Sequence, residues 1–268
     1  MIRNKKGLVF LTAFLTMFFV VSIGCNTGNK VKIIEKQIQT YADIMPMNDS
    51  LVIPYIYTSV ISLKNLPVSE KKQKFFDMML PAVLVAKKEL DILHRKVDLL
   101  SLKVDLTPEE QKFIDDLQTK YKAKSIELLK SRLTTFPVSI VLAQAAIESA
   151  WGTSRFFLEA DNPFGLWSFD PNEDRIEASS TRSGKKVYLK KFRNLEQAID
   201  GYYTTLATGP FADFRKHRLK TKDPYELVNY LIDYSERREA YVKEVTSVIR
   251  QNDLTKYDNY KIDPKYIE

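Results

Sequence analysis

The amino-acid sequence predicts a mainly α-helical protein with one small β-hairpin. Apolar residues recur at three- and four-residue spacings through several segments, and helix-start signals precede them. Only residues 175–192 break this pattern, with β-branched and polar residues on either side of Ser183-Gly184. No internal repeat, low-complexity tract or series of apolar spans appears in the 268 residues.

At the N-terminus Arg3, Lys5 and Lys6 precede an uncharged, largely apolar run over residues 7–24, followed at once by the only cysteine, Cys25. A basic start, a short apolar run and small residues near a cut site make residues 1–24 a secretory signal. The junction Ser22-Ile23-Gly24-Cys25 resembles a bacterial lipobox, with Ser22 where the pattern usually carries Leu. That resemblance implies a lipid on Cys25 and an anchored or secreted cell-envelope protein. The formal net charge is +7; removing residues 1–24 takes away Arg3, Lys5 and Lys6 and no acid, leaving +4.

Residues 25–69 are mixed in character, interrupted by Pro54 and Pro67, and read as a tether that docks on the helical region after it. From about 70 to 97, Phe76, Met79, Leu80, Val83, Leu90 and Leu93 form an amphipathic helix with a kink expected at Pro81. Thr107-Pro108-Glu109-Glu110 is a helix start: Thr107 caps, Pro108 fits the first helical position, and Glu110 reaches back. This helix is expected to pass Tyr121 and run toward Leu129. Another starts near Pro137 and stops at Gly152. After the hairpin, helices are expected over 195–207, 223–230 and 237–252, with a C-terminal tail over 259–268.

Several chemistries find no support. There is no GxSxG elbow, phosphate-binding glycine loop, HExxH or reactive Cys-His pair. A single cysteine makes no intrachain disulfide, and His94 and His217 stand outside any ligand-spaced cluster, so no metal or cofactor is expected. The basic run 215–220 reads as a solvated face, and no nucleic-acid module accompanies it.

One acid stands out. Glu148, in QAAIESAWG, continues the apolar line through Val141 and Ala145, on a helix without charge from Pro137 to Ile147. A carboxyl so placed is partly desolvated and keeps a proton near neutral pH, as a glycosidase needs to protonate a leaving oxygen. Six aromatic residues lie between Trp151 and Phe169, at a frequency well above the chain's 12%. Trp151 and Trp167 are candidates to stack on sugar faces. Asn162-Pro163-Phe164-Gly165 reads as a turn in which Gly165 admits close backbone approach and Asn162 offers an amide.

AQAAIESAWGTSRF, NPFGLWSF, KKVYLKKFRNLEQAIDGYYTTLATGPFADFR and YSERREAYVKEVTSVIRQNDL together resemble the Bax-like bacterial glucosaminidases, related to glycoside hydrolase family 73. The resemblance covers residues 70–258. It implies a lysozyme-like helical domain that cleaves the β-1,4 bond after N-acetylglucosamine in peptidoglycan. Glu148 matches the family's catalytic acid, Asn162, Phe164 and Gly165 its NxFG segment, and Tyr234 its late cleft tyrosine. Gln144 and Tyr241, within the same matched segments, complete the expected substrate-contacting set with Trp151 and Trp167. Pro163 replaces the usual aliphatic residue, and Arg238 stands where related sequences often carry Gly. For the second carboxylate the nearest candidate is Glu177, with Glu173 and Asp174 upstream; otherwise the substrate's N-acetyl group assists, oriented by Tyr234. Separations of about 6.5–9.5 Å and about 5–5.5 Å would distinguish inversion from retention.

The expected partners are peptidoglycan glycan strands and, through the lipid, a membrane; the chain is expected to act as a monomer. A lytic transglycosylase and a non-catalytic cell-wall-binding module remain as alternatives.

Overall fold

Helix α1 (Val68–Leu100) is the central element of the described residues, 30–182 and 185–268 of a computed structural model, and packs against helices and strands from both ends of the chain. The other helices are α2 (Pro108–Lys120), α3 (Ile126–Leu133), α4 (Val138–Glu148), α5 (Arg155–Ala160), α6 (Leu195–Thr208), α7 (Ala212–His217), α8 (Pro224–Leu227) and α9 (Glu239–Gln251). Strands are short: β1 (Ile34–Lys36), β2 (Leu51–Val52), β3 (Tyr55–Tyr57), β4 (Trp167–Ser168), β5 (Arg175–Arg182), β6 (Lys185–Lys190) and β7 (Lys261–Ile262). The chain is therefore mainly α, with β5 and β6 forming the expected hairpin and β4 added on the other side of β6. The turn at Ser183-Gly184, residues 1–24 and Cys25 lie outside the described residues.

Local chemistry explains several boundaries. Thr107 accepts from the Glu110 N–H, and the Glu110 side chain accepts from the Thr107 N–H, forming the expected capping box. Helix α1 continues through Pro81 as one element. The helix expected to run past Tyr121 instead ends at Lys120: Lys122 takes a left-handed φ of 51°, and Ser125 caps α3. The apolar period continues across this break, which is why periodicity missed it. Residues 223–230 divide similarly into the short α8 and a 3-10 stretch over 228–234.

The segment before α1 docks on the helical region as expected, and the expected tail joins it in the core. Ile38, Ile44, Val52, Ile56, Tyr57 and Leu63 are buried in the same core as α1. β1 pairs in parallel with β3, and β2 with β7. Lys30 and Glu268 exchange backbone hydrogen bonds of 3.1 and 3.0 Å. From residue 30 onward both segments belong to the folded body, because two- and three-residue strands pair without leaving a readable period.

Where α1 meets α6, Glu89 hydrogen-bonds Glu196, with Asp200 close by and ion-paired to Lys120 at 3.0 Å. Burial, then the charges of Glu89 and Asp200, push Glu196 up to about 7; burial alone pushes Asp161 up to about 6 against the pull of Lys191. Both groups hold protons in the folded chain that the unfolded chain has released above its ordinary carboxylate range. Stability therefore falls as pH rises through these folded values. Thermal unfolding should show a higher Tm near about pH 5 than near about pH 8; a Tm rising across that interval would contradict this.

Candidate active site

The end of α4 sets the site. Its C-terminus closes with two reversed hydrogen bonds, from the Trp151 N–H to the Ala146 carbonyl (2.8 Å) and from the Ala150 N–H to the Ile147 carbonyl (3.2 Å). Ala150, Trp151 and Gly152 all take positive φ, so the chain reverses and Glu148 is left on the last helical turn. At Gly152 a Cβ would meet Phe75 at 3.2 Å and Phe157 at 3.3 Å, so the reversal is packed tightly against α1 and α5.

Glu148 is half-buried. Burial raises its pKa, a hydrogen bond from the Tyr241 hydroxyl and the charge of Arg237 lower it, and Glu244 raises it again. The partial negative charge at a helix C-terminus acts in the same direction as burial. The result is an acid whose pKa stands above the ordinary carboxylate value and whose anion still has partners.

An aromatic stack lies beside it. Phe164 is stacked on Tyr202 with centroids 4.1 Å apart, Tyr202 meets Tyr234 edge-on at 6.3 Å, and Tyr234 is stacked on Tyr241 at 5.5 Å. These rings come from the 162–166 turn, α6, the 3-10 stretch and α9. Burial and the Glu148 charge raise the Tyr234 hydroxyl well above its ordinary value, so it is a neutral hydrogen-bonding group beside Glu148.

The residues read from sequence fall into three groups. Glu148 and Tyr234 come together. Gln144, Asn162, Phe164 and Tyr241 are buried beneath them, between 0% and 3% exposed, and shape the site rather than offering the expected surface for a sugar. The Asn162 amide donates to the Leu166 and Lys190 carbonyls at 3.0 and 2.9 Å and accepts from the Leu166 N–H at 2.9 Å, tying the turn to β6. Gly165 takes φ 63°, and a Cβ there would touch only Leu189 at 4.0 Å, so left-handed backbone is what the position asks of glycine.

Trp151, Trp167 and Glu177 make up the third group. Trp151 turns toward α1, edge-on to Phe75 and Phe76, with the Lys72 ammonium 4.7 Å from its ring. Trp167 is 40% exposed on β4 and lies 6.1 Å from Phe169, which is 83% exposed. Glu177 sits exposed on β5, paired with Lys186 at 2.9 Å, while its carbonyl accepts from Arg155. Past Glu177 the register with β6 shifts, so the residues between it and Thr181 bulge.

Sequence reasoning missed Tyr202, Arg237 and Glu244. Glu244 lies three residues beyond Tyr241 on α9, one helical step that the spacing alone exposes. It pairs with Arg237 at 2.6 Å, and the Arg237 guanidinium lies 5.4 Å from the Tyr241 ring. Arg238, at a position noted for glycine, has φ 50° and ψ −120° and is ion-paired with Asp233. Among the described residues no group of three or more His, Cys, Asp and Glu gathers as a metal site.

Residues 123–254 match the family described as mannosyl-glycoprotein endo-beta-N-acetylglucosaminidase. The chain is similar to protein bax of Escherichia coli (strain K12), 24% identical over 161 residues that cover 54% of this chain and 57% of that protein. It is also similar to the exo-glucosaminidase LytG of Bacillus subtilis (strain 168), 24% identical over 167 residues, 59% of this chain and 57% of that one. The chain thus spans less than two thirds of the length of these curated relatives. Among solved structures, the catalytic domain of the autolysin Auto from Listeria monocytogenes gives a TM-score of 0.40 at 20% identity, over 61% of this chain and 95% of that one. In sequence, the family match over residues 123–254 and the two curated relatives support a Bax-like bacterial glucosaminidase domain.

Proposed function

We propose that the chain hydrolyses peptidoglycan, cleaving the β-1,4 bond after N-acetylglucosamine with Glu148 as general acid. The observation that carries this reading is a half-buried carboxyl at the end of α4, with its pKa above the ordinary carboxylate value and in hydrogen-bond contact with a tyrosine. A carboxylic acid in that state gives its proton to the glycosidic oxygen as the bond breaks, and the developing oxocarbenium ion is then met by water or a carboxylate. Arg237 and Tyr241 stabilise the carboxylate that proton transfer leaves behind. Tyr234 stands beside Glu148 as a hydroxyl to orient the substrate's N-acetyl group.

Mass analysis of digested sacculi tests the reaction. Reducing N-acetylglucosamine ends are expected; anhydro-muropeptides would make the enzyme a lytic transglycosylase instead. Glu177 is the partner carboxylate in this reading, and Glu177→Gln is expected to slow hydrolysis at least about tenfold. Unchanged activity would move the second role to the substrate's N-acetyl group.

In the same reading the protein acts in the cell envelope, held to a membrane by a lipid on Cys25. No helix among the described residues is long and apolar enough to cross a membrane. Palmitate labelling should disappear in Cys25→Ala, and labelling that survives the substitution would remove the anchor.

A further inference from the structure

Three side chains far apart in sequence meet under Glu148. Gln144 on α4, Tyr202 on α6 and Tyr241 on α9 are each 0% exposed. The Tyr202 hydroxyl donates to the Gln144 side-chain oxygen, and the Gln144 Nε2 donates to the Tyr241 hydroxyl oxygen at 2.9 Å. A primary amide has one accepting end and one donating end, so the first bond decides which end faces Tyr241. A hydroxyl that accepts on one side keeps its single proton for another partner. For Tyr241 that partner is the Glu148 carboxylate.

We propose that Gln144 is a positioning residue: oriented by Tyr202, it turns the Tyr241 hydroxyl so that its proton points at Glu148. Gln144 acts on Glu148 through Tyr241; Tyr202 lies near enough to feel the Glu148 charge, but as a neutral hydroxyl it acts through Gln144 and Tyr241. The device works because all three groups are shielded from water, which would otherwise satisfy Tyr241 in either sense. Without the Tyr202 hydroxyl the amide is free to rotate, and its oxygen then competes with Glu148 for the Tyr241 proton. The other groups facing Glu148 are Arg237 just before α9, Glu244 on α9, and Tyr234 from the 3-10 stretch. None of them bonds to Gln144, so their effects on Glu148 persist when Tyr202 or Tyr241 is replaced by Phe.

The inference rests on Glu148 being the general acid only for its catalytic consequence, and the test separates the two. The full chain, labelled with 13C at glutamate carboxyls, is titrated by NMR, with the Glu148 signal assigned by its loss in Glu148→Gln. Tyr241→Phe removes a hydrogen bond that favours the carboxylate, so the Glu148 midpoint moves up. Tyr202→Phe, which keeps the ring stacked on Phe164, is expected to move it up as well. Because both act through one bond, Tyr202→Phe has no further effect in the Tyr241→Phe background. An unchanged or lowered midpoint in Tyr202→Phe overturns the proposal; should that variant not fold, an unchanged midpoint in Tyr241→Phe does so.

On sacculi, Tyr202→Phe should lower kcat roughly tenfold with KM within about twofold, and the alkaline limb of the kcat/KM profile should rise with the midpoint. A raised midpoint with an unmoved limb leaves the positioning network standing and removes Glu148 as the acid.

Discussion

Glu148→Gln loses about three orders of magnitude in kcat on purified sacculi, with binding of the sacculi retained. The amide matches the acid in shape and can still accept from Tyr241, but it has no proton of suitable acidity to give a leaving oxygen. The folded body should not suffer. Burial holds the Glu148 pKa above its ordinary value, so the favourable contribution of its protonated form is complete at low pH and is lost as pH rises through the folded value. The neutral variant escapes that loss. Its Tm at neutral to mildly alkaline pH should equal or exceed that of the wild type, which separates lost chemistry from lost structure. Turnover by Glu148→Gln at the wild-type rate would refute the catalytic assignment.

Asn162→Ala is expected to have the largest effect on stability. Its amide satisfies two carbonyls and one N–H, tying the 162–166 turn to the end of β6. Removing it leaves buried backbone groups without partners, at roughly 1–3 kcal/mol for each group stranded, or about 3 kcal/mol in all after partial relaxation. For a domain of this size that corresponds to a fall in Tm of about 6–12 °C. Activity should fall further than unfolding explains, because the same turn presents Phe164 to Tyr202 and thereby supports the aromatic stack beside Glu148. Asn162→Asp should be at least as damaging, since it sets a carboxylate against two carbonyl oxygens. A Tm within about 2 °C of wild type for Asn162→Ala would show that the turn is held by other contacts.

The hydrogen bonding of Asn162 also shows why a correct motif can suggest the wrong contact. NPFG reads as a turn, and it is one, but an amide in a turn serves the backbone as readily as a ligand. Only the arrival of β6, 28 residues later, decides between them. Trp151 is a parallel case: its proximity to Glu148 in sequence suggests a cleft, yet the left-handed reversal after α4 carries its ring toward Phe75 and Phe76. Arg238 carries a similar lesson in reverse. The family resemblance marks a glycine position there, and its φ of 50° with ψ of −120° explains the preference, because an L side chain is strained in that region.

What the sequence by itself determined is what depends on near neighbours along the chain. Helical spacing placed α1, α4, α6 and α9; Thr107 and Glu110 marked the start of α2; an acid continuing an uncharged stripe marked Glu148. These signals survive because caps and periods act within one or two helical turns. What only the tertiary structure decided is what couples distant segments. Gln144 meets Tyr202 across 58 residues and Tyr241 across 97, and residue 30 meets residue 268. None of these pairings leaves a period or a local motif, because each depends on helix packing that brings separate faces to one place. The sequence thus marks the acid at the end of α4, while the packing of α6 and α9 around it determines which hydroxyl faces that acid and which way its proton points.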